Sequence, residues 1–421
     1  MSTRPARTGQ GSNSVQVRQF NERIVLQCLR RMGEASKADL ARAAALTNNA
    51  IGDIIRDLES VGLVSVLGKK REGQRGQPAT MLALESSGAY SIGVRLDRVS
   101  SEVLCVDFGG NIVSRRSRDV ILPPPDDMLA MIVSDINAIL DDITPNQKAR
   151  LAGIGLALPF NLGSWLRELE LPAESFKLWD GYDFAMALAR ETGMSVFTEN
   201  DGNAAAIAEL FYGRGRQIDD FVYIFIGGAV GGGVVVSGDC LHGVNGNAGD
   251  IAMLTVPAST LASAPAPQKA FDVLLTRASL TALRRHMRWH GLKVESLADM
   301  ADALSHSDRH RALDEWIDDA VAAFVPAILS ATAVLDVPNV VLDCNIDDGL
   351  IQTIIERLEK ALEQAAPESV RVPMFYKGSF GHDAGALGAA TLPLFVNFSP
   401  RSSILTGTAG AIKETQYAAA E

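Results

Sequence analysis

Apolar positions open the chain with helical spacing and then change to strand-like runs. Val17, Phe20, Ile24 and Cys28 fall at i, i+3, i+7 and i+11, which predicts a helix over residues 15–32 ended by Gly33. Ser36 then offers its hydroxyl as an N-cap for a short helix over residues 37–44, with Leu40 facing inward. After a turn containing Leu46, Thr47 is the next N-cap. Ile51, Ile54, Ile55 and Leu58 make a second stripe, closed by Gly62. Three short helices with a tight turn between the second and third predict a helix-turn-helix. Residues 63–67 read as a strand, 68–78 as a glycine-rich basic loop and 80–84 as the returning strand, which together make a wing.

Beyond residue 84 the pattern alternates. Strands are predicted over 90–96, 101–108, 151–158, 196–198, 221–226, 233–237 and 340–342, and helices over 128–140, 202–212 and 383–394. Alternation over about 300 residues predicts an α/β body, in two lobes with a cleft.

The 421 residues suffice for two or three domains, and 47% hydrophobic with 21% charged residues is ordinary for a folded chain. The most apolar stretch, Phe221 to Val236, is broken by five glycines and is too short to span a bilayer. The polar N-terminus has no apolar core behind Arg4 and Arg7, so no signal peptide and a cytoplasmic location are expected. Cysteines 28, 105, 240 and 344 show no metal-binding spacing and read as buried free thiols, with no metal or cofactor expected. Charge is what changes the picture. The net charge is −11, yet residues 1–84 carry 13 Lys and Arg against 7 Asp and Glu, a surplus of +6 that leaves −17 on the remainder. A basic head on an acidic body is the expected footprint of a DNA-binding module joined to something else.

In the head, Thr47, Asn48 and Asn49 stand at the start of the third helix, where a helix in the major groove presents side chains to base edges. Asn pairs bidentately with adenine. Lys69, Lys70 and Arg71 can neutralise phosphates, and Arg75 between glycines can enter a minor groove. Ser36 and Gln77 complete the expected DNA-facing set. The plainer alternative is that the asparagines only cap a helix and the loop is a solvated hairpin. In the body, Glu199-Asn200-Asp201-Gly202-Asn203 brings two carboxylates and two amides to a helix start, suited to hydrogen-bonding a polyol or to capping the helix. Gly227 to Gly233 could let backbone N–H groups approach a phosphate or could be an ordinary glycine hairpin. Gly243 to Asp250 is a polar glycine-rich loop ending in a carboxylate.

Taken together these segments, with Gly381-His382-Asp383-Ala384-Gly385-Ala386-Leu387-Gly388, resemble the ROK family of repressors, uncharacterised reading frames and sugar kinases. The resemblance covers nearly the whole chain. It implies an actin-like, two-lobed α/β sugar-kinase fold behind a winged helix-turn-helix. The expected division is a head at 1–84, one lobe at 85–200 completed by a helix at 383–395, a second lobe with the effector cleft at 201–382, and a tail at 396–421. Carried over, Asn200 and Asp201 contact sugar hydroxyls, Asp201 stands where kinases keep their catalytic base, and Asp250 and Asp272 stand for sugar-contacting glutamates. Three phosphate-facing features depart from the kinase pattern. Arg95-Leu96-Asp97-Arg98-Val99 replaces D-x-G-G-T, Gly228-Ala229 alters the hairpin, and Asp343-Cys344 replaces a glycine pair. The zinc ligands are also replaced, the His by Met253 and the cysteine segment by residues 256–267, expected to be a flexible loop. The resemblance therefore implies a regulator, a repressor binding double-stranded operator DNA as a homodimer or homotetramer, whose degenerate kinase body senses a sugar or sugar derivative. The alternative is an active sugar kinase with a DNA-binding head.

Overall fold

The isoleucine stripe forms α3 (Asn48–Ser60), with Ile51, Ile54, Ile55 and Leu58 all buried. Thr47 caps it, its hydroxyl accepting from the Ala50 N–H at 3.3 Å. α2 (Lys37–Ala43) precedes it across a turn in which Ala45 takes a left-handed backbone, φ 53°, and Leu46 packs back onto the core. α1 (Ser14–Met32), β1 (Glu34–Ser36), β2 (Val64–Lys70) and β3 (Ala79–Leu84) complete the head, with the strands in the antiparallel order β1-β3-β2. The computed structural model describes residues 13–70, 79–162, 166, 169, 171, 173–266, 270–304, 310–345, 348–406 and 412–416.

α1 does not bury the face its spacing suggested. Val17 is exposed, and the buried positions are Arg23, Val25, Leu26, Leu29 and Arg30. The reason is that α1 packs on two sides, against the head and against the body, so no single apolar stripe marks it. Two arginines dock it onto the body. The Arg23 guanidinium donates to the Val396 and Ser399 carbonyls at 2.7 and 3.3 Å. Arg30 donates to the Phe108 carbonyl at 3.0 Å and lies 3.8 Å from the Phe211 ring centroid and 4.6 Å from that of Phe108. One apolar core runs from Val25, Leu29 and Ile55 of the head through Phe108 and Phe211 to Leu387 and Phe395.

The first body sheet has the order β16-β8-β7-β4-β5-β6. It comprises β4 (Tyr90–Leu96), β5 (Ser100–Asp107), β6 (Ile112–Asp119), β7 (Leu151–Leu158), β8 (Val196–Asn200) and β16 (Lys413–Thr415). β4, β7 and β8 run parallel, and α4 (Pro125–Asp142), α5 (Pro145–Lys148) and α6 (Phe184–Thr192) accompany them. The second sheet has the order β11-β10-β9-β14-β15, from β9 (Phe221–Ile226), β10 (Val230–Val236), β11 (Asp239–Cys240), β14 (Asn339–Cys344) and β15 (Met374–Lys377). β12 (Thr255–Val256) and β13 (Asp272–Val273) pair antiparallel and contact two helices of this half. α8 (Leu274–Ala278), α9 (Leu280–Trp289), α10 (Leu297–Leu304), α11 (His310–Leu335) and α12 (Asp348–Ala365) complete that lobe.

α7 (Asp201–Phe211) and α13 (Ala384–Phe398) pack on each other between the two sheets, and α14 (Ser402–Thr406) packs on α1. The glycines expected around a turn mostly lie inside β10, because α7 approaches that strand closely. A Cβ on Gly202 would lie 2.4 Å from the Gly232 carbonyl oxygen. α11 was not apparent in the sequence pattern. Residues 311–335 are long and apolar enough to cross a membrane by length and composition, but Trp316, Ile317, Ala320, Phe324 and Ile328 are buried in the core of the second lobe.

Candidate DNA-reading head and effector cleft

Thr47, Asn48 and Asn49 are all exposed at the N-terminus of α3, and Lys69 and Lys70 are exposed at the end of β2. The buried isoleucines on the opposite face hold α3, so the asparagines are presented from a fixed helix. The Lys70 Nζ lies 3.5 Å from a Glu34 carboxylate oxygen, which leaves Lys69 as the less engaged of the two. Ser36 does not belong with this set. It is buried, and its hydroxyl and N–H both bond the Asp39 carboxylate in a capping box that starts α2. Arg71, Arg75 and Gln77 lie outside the described residues.

In the body, β8 delivers Glu199 and Asn200 to the start of α7. The Asn200 Oδ1 caps the helix, accepting from the Gly202 N–H at 2.9 Å and the Asn203 N–H at 3.4 Å. Asp201 is half-buried, and its Oδ1 accepts from the Gly202 N–H at 2.9 Å. Burial, then the Asp97 charge, pushes the Asp201 carboxyl above the usual carboxylate range, against the pull of Arg95 and Arg98. Glu199 lies beneath them. Its Oε1 accepts from the Asn200 N–H at 2.8 Å and its Oε2 pairs with the Nδ1 of His242, both side chains buried. The sequence reading missed His242, because a lone His before a glycine loop carries no spacing signal. This pair ties the loop at 243–250 to the end of β8.

Glycines bring the other candidate effector segment alongside. Gly232 packs against Gly202 on α7 and against Ile251 and the Gly249 carbonyl of the loop, so the Asp201 and Asp250 segments meet across β10. Asp250 is exposed, its carboxylate accepting from the Asn247 side-chain amide at 3.0 Å. The glycine turn itself is covered by α9. The Leu280 N–H donates to the Gly227 carbonyl at 2.8 Å, and the Thr281 hydroxyl to that of Gly228 at 2.7 Å.

The segment expected to replace a phosphate loop is held by its own arginines. The Arg95 guanidinium bonds Asp97 at 2.9 Å and lies against the start of α13, where a Cβ on Gly385 would come 2.5 Å from its Nε. Arg98 turns away to the Asn161 and Leu162 carbonyls at 3.0 and 3.1 Å. Asp343 is buried near the end of β14. It accepts from the Tyr223 hydroxyl at 3.2 Å and the Gly381 N–H at 3.1 Å, and burial pushes its carboxyl up to about 6.

The described part of segment 256–267 is pinned by named bonds, contrary to the flexible loop expected. Arg277 donates to the Pro257 carbonyl at 2.7 Å and makes a two-pronged ion pair with Asp319, at 2.7 and 3.1 Å. The Ser259 hydroxyl joins Asp319 at 2.9 Å, and the Ser259 N–H donates to Asp272 at 3.1 Å. Asp272 therefore spends a carboxylate oxygen on holding this segment. Among the cysteines, 105, 240 and 344 are buried and 28 is half-buried, all as free thiols, and burial pushes the Cys105 thiol up to about 12.

A family model described as "ROK family" matches residues 91–394. The DNA-binding transcriptional repressor Mlc of Escherichia coli is 27% identical over 54% of this chain and 55% of its own length. A glucokinase of Thermotoga maritima is 27% identical over 72% of this chain and 96% of its own. Among solved structures, a ROK family transcriptional regulator described as a homologue of the Escherichia coli Mlc protein matches with a TM-score of 0.65. It is 21% identical and covers 93% of this chain and all of its own. Sugar kinases of the same family share the fold of the body, including a glucokinase from Streptomyces griseus with a TM-score of 0.54 at 18% identity.

Proposed function

This chain belongs to the ROK family, with a sugar-kinase-like body, and on that premise we propose that it is a DNA-binding transcriptional regulator, a repressor, whose body senses a sugar or sugar-derived effector. The observation that carries this reading is the presentation of Asn48 and Asn49 from a fixed, exposed helix start in a head that shares one core with the body. In this reading residues 1–84 are a winged helix-turn-helix, acting in a homodimer or homotetramer, and Lys69 contacts DNA phosphate. The similarity to Mlc supports it.

The effector site is the cleft around Asn200, Asp201 and Asp250. α7 begins at Asp201 and ends at Phe211, whose ring carries Arg30 of the head. An effector that favours one placement of α7 thereby biases the placement of α1 and the spacing of two heads on DNA. A tenfold change in operator affinity needs only about 1.4 kcal/mol of such coupling.

A thermal-shift screen of sugars and sugar phosphates tests the cleft. A binding sugar at a hundredfold excess over Kd stabilises by about 2.7 kcal/mol, a rise of several degrees. Asp201→Asn abolishes that rise and is no less stable than the parent at pH 7. Its carboxyl is held above the usual range, so the native state carries a cost for ionising it that is absent below that range and present above it. No rise with any sugar refutes the effector site.

The similarity to a glucokinase, with Asp201 retained, favours a second reading as an active sugar kinase. Arg95 and Asp343, which stand where the resemblance expects a phosphate loop and a glycine pair, argue against it. Coupled assays with ATP and hexoses are expected to show no turnover, and turnover with any hexose establishes the second reading.

A further inference from the structure

Far along the chain from the cleft, two histidines and a carboxylate converge on the second lobe. His286 and His290 stand one turn apart, on and just after α9, so their side chains share a face. Glu315 reaches them from α11, with its Oε2 at 3.1 Å from the His286 Nε2 and 2.9 Å from the His290 Nε2. The three ligand atoms lie within 4.8 Å of one another. We propose that His286, His290 and Glu315 form a binding site for a divalent transition metal, zinc above all, that joins α9 to α11.

The donor set and its surroundings fit. Two imidazole nitrogens and one carboxylate oxygen suit zinc and its neighbours, whereas magnesium and calcium prefer oxygen alone. The second nitrogen of His286, Nδ1, lies 2.7 Å from the Ser263 hydroxyl, which fixes the ring and turns Nε2 to the metal. The Arg311 Nε holds the other oxygen of Glu315 at 2.8 Å, leaving Oε2 for the ion. His286 is buried, while His290 and Glu315 are half-buried, so the cluster is reached from solvent on their side, where water can complete a tetrahedral set. The sequence reading expected no metal and passed over the His-x-x-x-His spacing, whose carboxylate partner lies 25 residues beyond His290.

The test uses the full chain, freed of metal with a chelator, and zinc alone as the probe. Competition against a chromophoric chelator is expected to give one zinc per chain. His290→Ala and Glu315→Gln each weaken binding at least tenfold, with far-ultraviolet circular dichroism confirming that each is folded. A second measurement needs no variant. The Trp289 ring centroid is 6.1 Å from that of His286 and 5.0 Å from that of His290, so one equivalent of copper(II) quenches part of the tryptophan fluorescence. Absence of stoichiometric zinc binding, equal binding by both variants, or no quenching at one equivalent of copper overturns the proposal.

Discussion

Arg277→Ala is expected to lower the stability of the second lobe by about 3–5 kcal/mol, the cost typical of stranding one member of a buried ion pair. Both side chains are 4% exposed. Without the guanidinium, Asp319 is stranded in a dry environment, and among the described residues the Ser259 hydroxyl at 2.9 Å is the side-chain donor that still reaches it. The Pro257 carbonyl and the Asp319 main-chain carbonyl each lose the bond that Arg277 donates as well. Trp316 reports the change directly, because its Nε1 donates to the Arg277 carbonyl at 3.0 Å. Denaturation followed by tryptophan fluorescence should show an early transition in the variant. Asp319→Leu combined with Arg277→Met should recover most of the loss, since the penalty comes from the unpaired charge. A loss below 1 kcal/mol in Arg277→Ala would show that segment 256–266 is held by something else.

The second large effect is on DNA. Asn49→Ala is expected to weaken binding to the preferred sequence by ten- to a hundredfold, about 1–3 kcal/mol for a lost bidentate base contact, and to relax specificity at one position. Asn48→Ala should do the same at a neighbouring position. Both residues are exposed, so stability should not move. Lys69→Ala acts differently. It weakens binding to every sequence alike and reduces the salt slope by about one, as loss of a phosphate contact does. Fluorescence anisotropy at several salt concentrations separates the two behaviours. Equal losses on preferred and random DNA for Asn49→Ala would place the base contacts elsewhere.

How far the chain could be read in advance depended on how many sides each element buries. α3 was legible because it is buried on one face only, and its four apolar positions keep the helical period. α1 was misread for the opposite reason. Head and body cover it together, and the residues that dock it are Arg23 and Arg30, which no hydrophobic pattern counts. The glycines of β10 looked like a turn because their role is to admit α7, a contact between segments distant in sequence. Asn200, Asp201 and Asp250 were proposed from a linear motif, and the structure brings their segments together around Gly232. His242 could not be found that way, since its partner Glu199 is 43 residues away. Ser36 was placed with the DNA-facing set by position alone, and burial removes it.

Selection of duplex DNA from a random-sequence pool by the full chain tests the central claim most directly. The account predicts enrichment of one inverted repeat whose half-sites are about one helical turn apart, read by the Asn48 and Asn49 pair from each of two heads. Recovery of no preferred sequence, with binding that follows salt alone, would contradict it.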